Sequence, residues 1–166
     1  MATPFSSVYA TLFTTLSGST EVTAIAPAGN MVRHDTEYPA LIDHRQVGDL
    51  PCLELLPVPA GGGNLWDSSD TAEVPMLFEW LYKTGEEKLA ATLGLWNLQW
   101  AILRAYYTAG VNLGNSYITR WTLATWEPLA PLEPGLVPGQ KDEQGWQSSM
   151  QILVDTEIPH TELLVT

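Results

Sequence analysis

The chain has 166 residues, enough for one domain with a real core, and 45% of them are hydrophobic, which excludes wholesale disorder. Nineteen acidic residues against seven basic ones give a net charge of −12, with no Lys/Arg cluster anywhere. That balance excludes a phosphate-gripping nucleic-acid face and disfavours an anionic membrane surface, although an acidic wall can still line a channel through which DNA slides. Seven Trp and six Tyr are large contact groups for a core or a subunit interface. Cys52 stands alone, so no disulfide framework or cysteine-based metal site is expected, and its apolar run Cys52-Leu53-Glu54-Leu55-Leu56 predicts a buried, inert thiol. Met1 to Tyr9 has no basic leader pattern and no stretch approaches the ~20 apolar residues of a membrane span, so a soluble, reducing compartment is expected.

In chain order, residues 4 to 17 read as a short helix. Pro4 suits a first turn, Phe5, Val8, Tyr9, Leu12, Phe13 and Leu16 recur at three- and four-residue spacing, and Ser17-Gly18-Ser19 ends it. Residues 18 to 50 read as irregular, with one short strand expected near Ala40 to Ile42. Leu50 to Val58 reads as a strand, followed by a loop from Pro59 to Thr71. Gly61-Gly62-Gly63 in that loop is a hairpin tip and not a phosphate loop, because no Gly-Lys-Ser/Thr follows. Val74 to Tyr82 alternates: Val74, Met76, Phe78, Trp80 and Tyr82 take one face, and Pro75, Leu77, Glu79, Leu81 and Lys83 the other.

The longest helix is predicted over Glu86 to Ala109, with Glu86 and Glu87 in its first turn and Gly110 closing it. Leu89, Leu93, Trp96, Trp100, Leu103 and Tyr107 form a continuous stripe, expected to bury against the sheet. Leu95, Leu98 and Ile102 widen the apolar surface beyond what one sheet face needs, which predicts a further contact with a neighbouring subunit. Tyr117 to Trp126 and Gly145 to Ile158 read as strands. Pro128 to Gln144, with four prolines, reads as a long interaction arm. No repeat or domain boundary is evident. The expected fold is therefore a single α+β domain over residues 1–166: a mostly antiparallel sheet of about four strands, with the long helix and the N-terminal helix on one face.

Catalytic raw material is scarce. His34, Asp35, Asp43, His44 and His160 are the residues from which a metal or acid–base site could be built, yet no ligand-type spacing joins them, and surface loops explain them better. No Gly-x-Ser-x-Gly elbow is present. Glu86-Glu87 and Asp142-Glu143 read as a helix start and a solvated loop. Tyr117, Trp121 and Trp126 could form a sugar-stacking platform, but packing is the commoner use of aromatics at strand spacing. No catalytic, cofactor-binding or metal residue is assigned.

The order of elements, with the segments DLPCLELLPV, FEWLYKTGEEKLAATLGLWNLQWAILRAY and GWQSSMQILVDTEI, resembles the tail terminator (tail completion) proteins of long-tailed bacteriophages over roughly residues 4 to 158. The resemblance implies a virion structural protein without chemistry or cofactor, assembled in the host cytoplasm. Its copies would form a hexameric ring that caps the tail tube, ends polymerisation and presents a docking surface to the neck, with DNA passing through the lumen unbound. The implied partners are further copies of the chain, the major tail tube protein, and a neck or head-completion protein. The loops 59–71 and 128–144 depart from the family by their length. A neck adaptor or head-completion role is the alternative of the same class. A small hydrolase, a carbohydrate-binding domain on the Trp/Tyr-rich strands, or a small-molecule binder are the alternatives from others.

Overall fold

A computed structural model describes residues 3–33, 50–58, 66–67, 71–132 and 145–163 of the chain. Helix α1 runs Pro4–Ser17, with the Thr3 hydroxyl accepting from the Ser6 amide at 3.2 Å and Pro4 in the first turn, where it gives up no needed donor. Ser19 caps α2 (Thr20–Ile25) in the same way, and a single 3-10 turn, Ala28–Asn30, leads into β1 (Met31–Arg33). The elements that follow are β2 (Cys52–Val58), β3 (Trp66–Asp67), β4 (Thr71–Thr84), α3 (Lys88–Ala109), β5 (Ile118–Leu123), β6 (Ala130–Pro131), β7 (Trp146–Pro159) and α4 (His160–Leu163).

The sheet has the order β1-β2-β4-β7-β5. Its spine is the antiparallel pair β4–β7, in register from Thr71 opposite Pro159 to Thr84 opposite Trp146. Strand β2 pairs antiparallel with β4, and β5 with β7. These four are the strands expected from the sequence, two of them by alternation, and the α+β class with helices on one face holds. Three short strands enlarge the sheet. β3 pairs with the start of β4, β6 pairs with the start of β7, and β1 lies parallel to β2, which makes the sheet mixed.

The stretch 18 to 50 is less irregular than its sequence suggests, since α2, the 3-10 turn and β1 lie in it. The short strand expected near Ala40 to Ile42 falls outside the described residues. Glu86 and Glu87 precede α3 rather than filling its first turn. Glu87 is the N-cap residue, although its side chain makes no capping bond. Pro128 to Gln144 is not wholly an arm: β6 and the buried Leu132 tie its first residues to β7. Gly110, at φ +93°, ends α3, and its N–H reaches the carbonyls of Tyr106 and Tyr107.

One cluster of buried side chains fills the space between the helices and the inner face of the sheet: Val8, Leu12 and Leu16 of α1, Phe78 and Trp80 of β4, Met150, Ile152 and Val154 of β7, and Leu98 and Ile102 of α3. Tyr9 stacks on Phe78 at 5.5 Å, and Phe13 on Trp80 at 6.4 Å. At its centre the Trp80 indole N–H donates to the Tyr106 hydroxyl at 3.0 Å, and that hydroxyl donates to the Leu12 carbonyl at 3.3 Å. Strand β4, helix α3 and helix α1 are thereby joined through one buried oxygen. Asn115 makes a second tie, donating to the hydroxyls of Ser7 and Thr11 on α1 at 3.1 and 2.9 Å.

Tyr106→Phe removes the shared oxygen and leaves the Trp80 N–H buried without an acceptor, so it is expected to cost about 1–3 kcal/mol, read as a lower denaturant midpoint at unchanged slope. Burial raises the Tyr106 phenol well above its ordinary 10.0, the bond from Trp80 offsetting this only in part. A folded-state value raised above the unfolded one stabilises below pH 10 and loses that contribution as pH climbs past it. Unfolding titrations should therefore show stability falling above about pH 10. Tyr106→Phe should flatten the fall, leaving the share of Tyr82, which burial also raises.

Candidate interaction surface

Helix α3 is apolar on two opposite sides. Its sheet-facing side consists of Ala91, Leu95, Leu98, Ala101, Ile102 and Tyr106, all buried. The opposite side carries the stripe that periodicity assigned to the sheet, and the structure reverses that assignment. Leu89 is 73% exposed, Trp96 67%, Trp100 63% and Tyr107 73%, with Leu93 also exposed and only Leu103 half-buried. The physical reason is size. Alanines at 91, 101, 105 and 109 let α3 come close to α1, α2 and the sheet, where indoles at 96 and 100 would hold the layers apart.

At the C-terminal end of the stripe, Tyr107 packs edge-on against Trp121 at 5.1 Å, while the Trp121 N–H donates to the Gly110 carbonyl at 3.2 Å. At the other end Lys88 lies 5.3 Å from the centre of the Trp146 ring. Beside Trp96 a groove of about 300 Å³ opens between α3 and the segment after β5, lined by Lys88, Thr92, Leu95, Trp126, Pro128 and Leu129 among others. The surface is thus a rigid helical ridge of leucine and tryptophan with a shallow trough along one flank. Contiguous exposed apolar surface of this kind makes the ridge the candidate contact site.

Of the side chains from which a catalytic or metal site could be built, only His160 lies among the described residues. His160 opens α4, and His34, Asp35, Asp43 and His44 lie outside the described residues. Among the described residues no group of three His, Cys, Asp or Glu is placed to hold a metal ion. Cys52, the single cysteine of the sequence, is buried, as its apolar run predicts. The three aromatics considered as a sugar platform do not share one open plane. Trp121 is wedged against Tyr106 and Tyr107, Trp126 packs against Tyr82 at 6.3 Å, and the Tyr117 hydroxyl donates to Glu162 at 2.7 Å. No helix among the described residues is long and apolar enough to cross a membrane. Compared with protein-family models and with curated proteins, the chain matches none.

The two sides of α3 should respond differently to mutation. Trp96→Ser with Trp100→Ser is expected to change stability by no more than about 0.5 kcal/mol per site while sharply reducing binding of a hydrophobic dye. Leu98→Ala or Ile102→Ala should each cost about 2–5 kcal/mol in denaturant unfolding.

Proposed function

We propose that the chain is a virion assembly protein of the tail-terminator kind. In this reading its copies form a ring, of six by the family resemblance, on the end of the tail tube. The ring stops tube growth and offers the surface on which the neck docks. The observation that carries the reading is the exposed Leu/Trp stripe of α3, because it gives the chain a large surface to bury against protein. The net charge of −12 supports a lumen through which DNA passes without being held. The partners are further copies of the chain, the major tail tube protein and a neck or head-completion protein, and the place of action is the tail end of the virion, after assembly in the host cytoplasm.

The experiment is to add the purified protein to polymerisation-competent tube protein and measure tube lengths in negative stain. The expected result is a shortened, narrowed length distribution with a ring on one tube end. Unchanged lengths overturn the reading, and binding to head particles instead of tube ends moves the protein to the neck-adaptor role.

A further inference from the structure

The indole N–H of Trp126 is buried and has no acceptor. A sealed, unpaired donor is destabilising, and a bound acceptor would remove that cost. Trp126 is half-buried and stands in one wall of the groove of about 300 Å³ beside α3, with Pro128 and Leu129 after it and the exposed Trp96 on the helix side. That wall is held from behind. Trp126 packs on Tyr82 at 6.3 Å, and Leu129 packs against the core. The Glu127 N–H donates to the Ser149 carbonyl at 2.8 Å, and the Glu127 carbonyl accepts from the Ser148 hydroxyl. The groove therefore exists before anything enters it, which spares a ligand the cost of ordering it. Its charge is uneven. Glu127 lines it, and Glu86 and Glu87 stand exposed where α3 begins, whereas Lys88 lies over the Trp146 ring.

We propose that this groove takes an extended, proline-rich segment of another protein, with an arginine or lysine at one end of its proline run. Three observations select that ligand. A shallow apolar trough bordered by tryptophan fits the polyproline II helix, whose stiffness leaves it little entropy to lose on docking. That helix makes no internal hydrogen bonds, so its carbonyls are open to a donor, and the Trp126 indole turns its N–H edge to one of them. The acids at the Lys88 end, in a molecule of net charge −12, attract a basic side chain and repel an acidic one. A small apolar molecule would fill the trough and satisfy neither the donor nor the acids. Peptide capture of this kind is independent of tube capping, since it needs only the groove.

Calorimetry and nitrogen–proton NMR spectra of the full chain test it with two synthetic peptides, Arg-Pro-Leu-Pro-Pro-Leu-Pro and the same peptide with Glu in place of Arg. The first is expected to bind about tenfold more tightly than the second. One of the seven indole signals is expected to vanish in Trp126→Phe, and in the wild type the first peptide should move that signal downfield. Trp126→Phe keeps the wall and loses the donor, so it should bind the first peptide about three- to tenfold more weakly, with stability unchanged or raised. Trp96→Ala should weaken binding about tenfold or more, while Trp100→Ser, outside the groove, should leave it unaltered. Glu127→Gln should narrow the preference for arginine. Equal binding of the two peptides, binding of neither, or an unmoved Trp126 signal overturns the proposal. So does equally tight binding of a peptide with the sequence of residues 133–141, which would assign the groove to a segment of this chain. A chain that binds the first peptide and leaves tube lengths unchanged overturns only the tail reading, and one that caps tubes without binding it overturns only the groove.

Discussion

The hydroxyl of Tyr106 sets the rotation of α3, and the rotation of α3 decides what the molecule presents to its surroundings. A phenol in a dry core needs partners for its oxygen, because burying it without them costs more than the burial of its ring returns. Those partners exist in one direction only, at the Trp80 indole N–H on β4 and the Leu12 carbonyl on α1. With Tyr106 turned inward, Leu98 and Ile102 follow it into the core, and the alanines at 101, 105 and 109 set the close approach of the layers. The opposite stripe is then obliged to face out. Had the helix turned the other way, two indoles would have to fit beside Tyr9, Phe13 and Trp80, and a hydroxyl would be left in water with no role.

That dependence explains what was and was not legible in the sequence. Strands β4 and β7 announce themselves by alternation, because each has one face on the core, whereas β2, buried on both faces from Cys52 to Leu55, shows as an apolar run and β5 as a stretch rich in Thr, Trp and Ile. Helix α1 is marked by Pro4 and by Ser17-Gly18-Ser19 at its ends. Helix α2 and strand β1 are not marked, since six and three residues are too few for periodicity to speak. They are held by tertiary contacts: Val22 of α2 in the core, the pairing of Met31 with Leu53, and the Arg33 guanidinium over the Tyr9 and Phe13 rings at 5.5 and 5.7 Å. The candidate surface was visible as an excess of apolar girth on α3, but its facing was read in reverse. Hydrophobicity ranks tryptophan above alanine, whereas close packing of a helix on a sheet favours the smaller side chain. The alanine positions, with one tyrosine among them, were the signal available.

The charges follow the same division of faces. The spine strands place their acids outward on the open side of the sheet, where Asp155 is held by both Nε and Nη2 of Arg120, at 3.0 and 2.7 Å. Nearer β1 the same side closes over, and Val32, Cys52 and Glu54 are buried there, with Lys83 3.4 Å from the Glu54 carboxylate. The helix layer carries its acid at Glu21, in the first turn of α2, which pairs at 3.1 Å with Arg104 beside the stripe. Acids also stand beside the stripe, since Glu127 lines the groove at Trp96 and the exposed Glu86 and Glu87 precede Leu89, so the ridge is apolar without being free of negative charge.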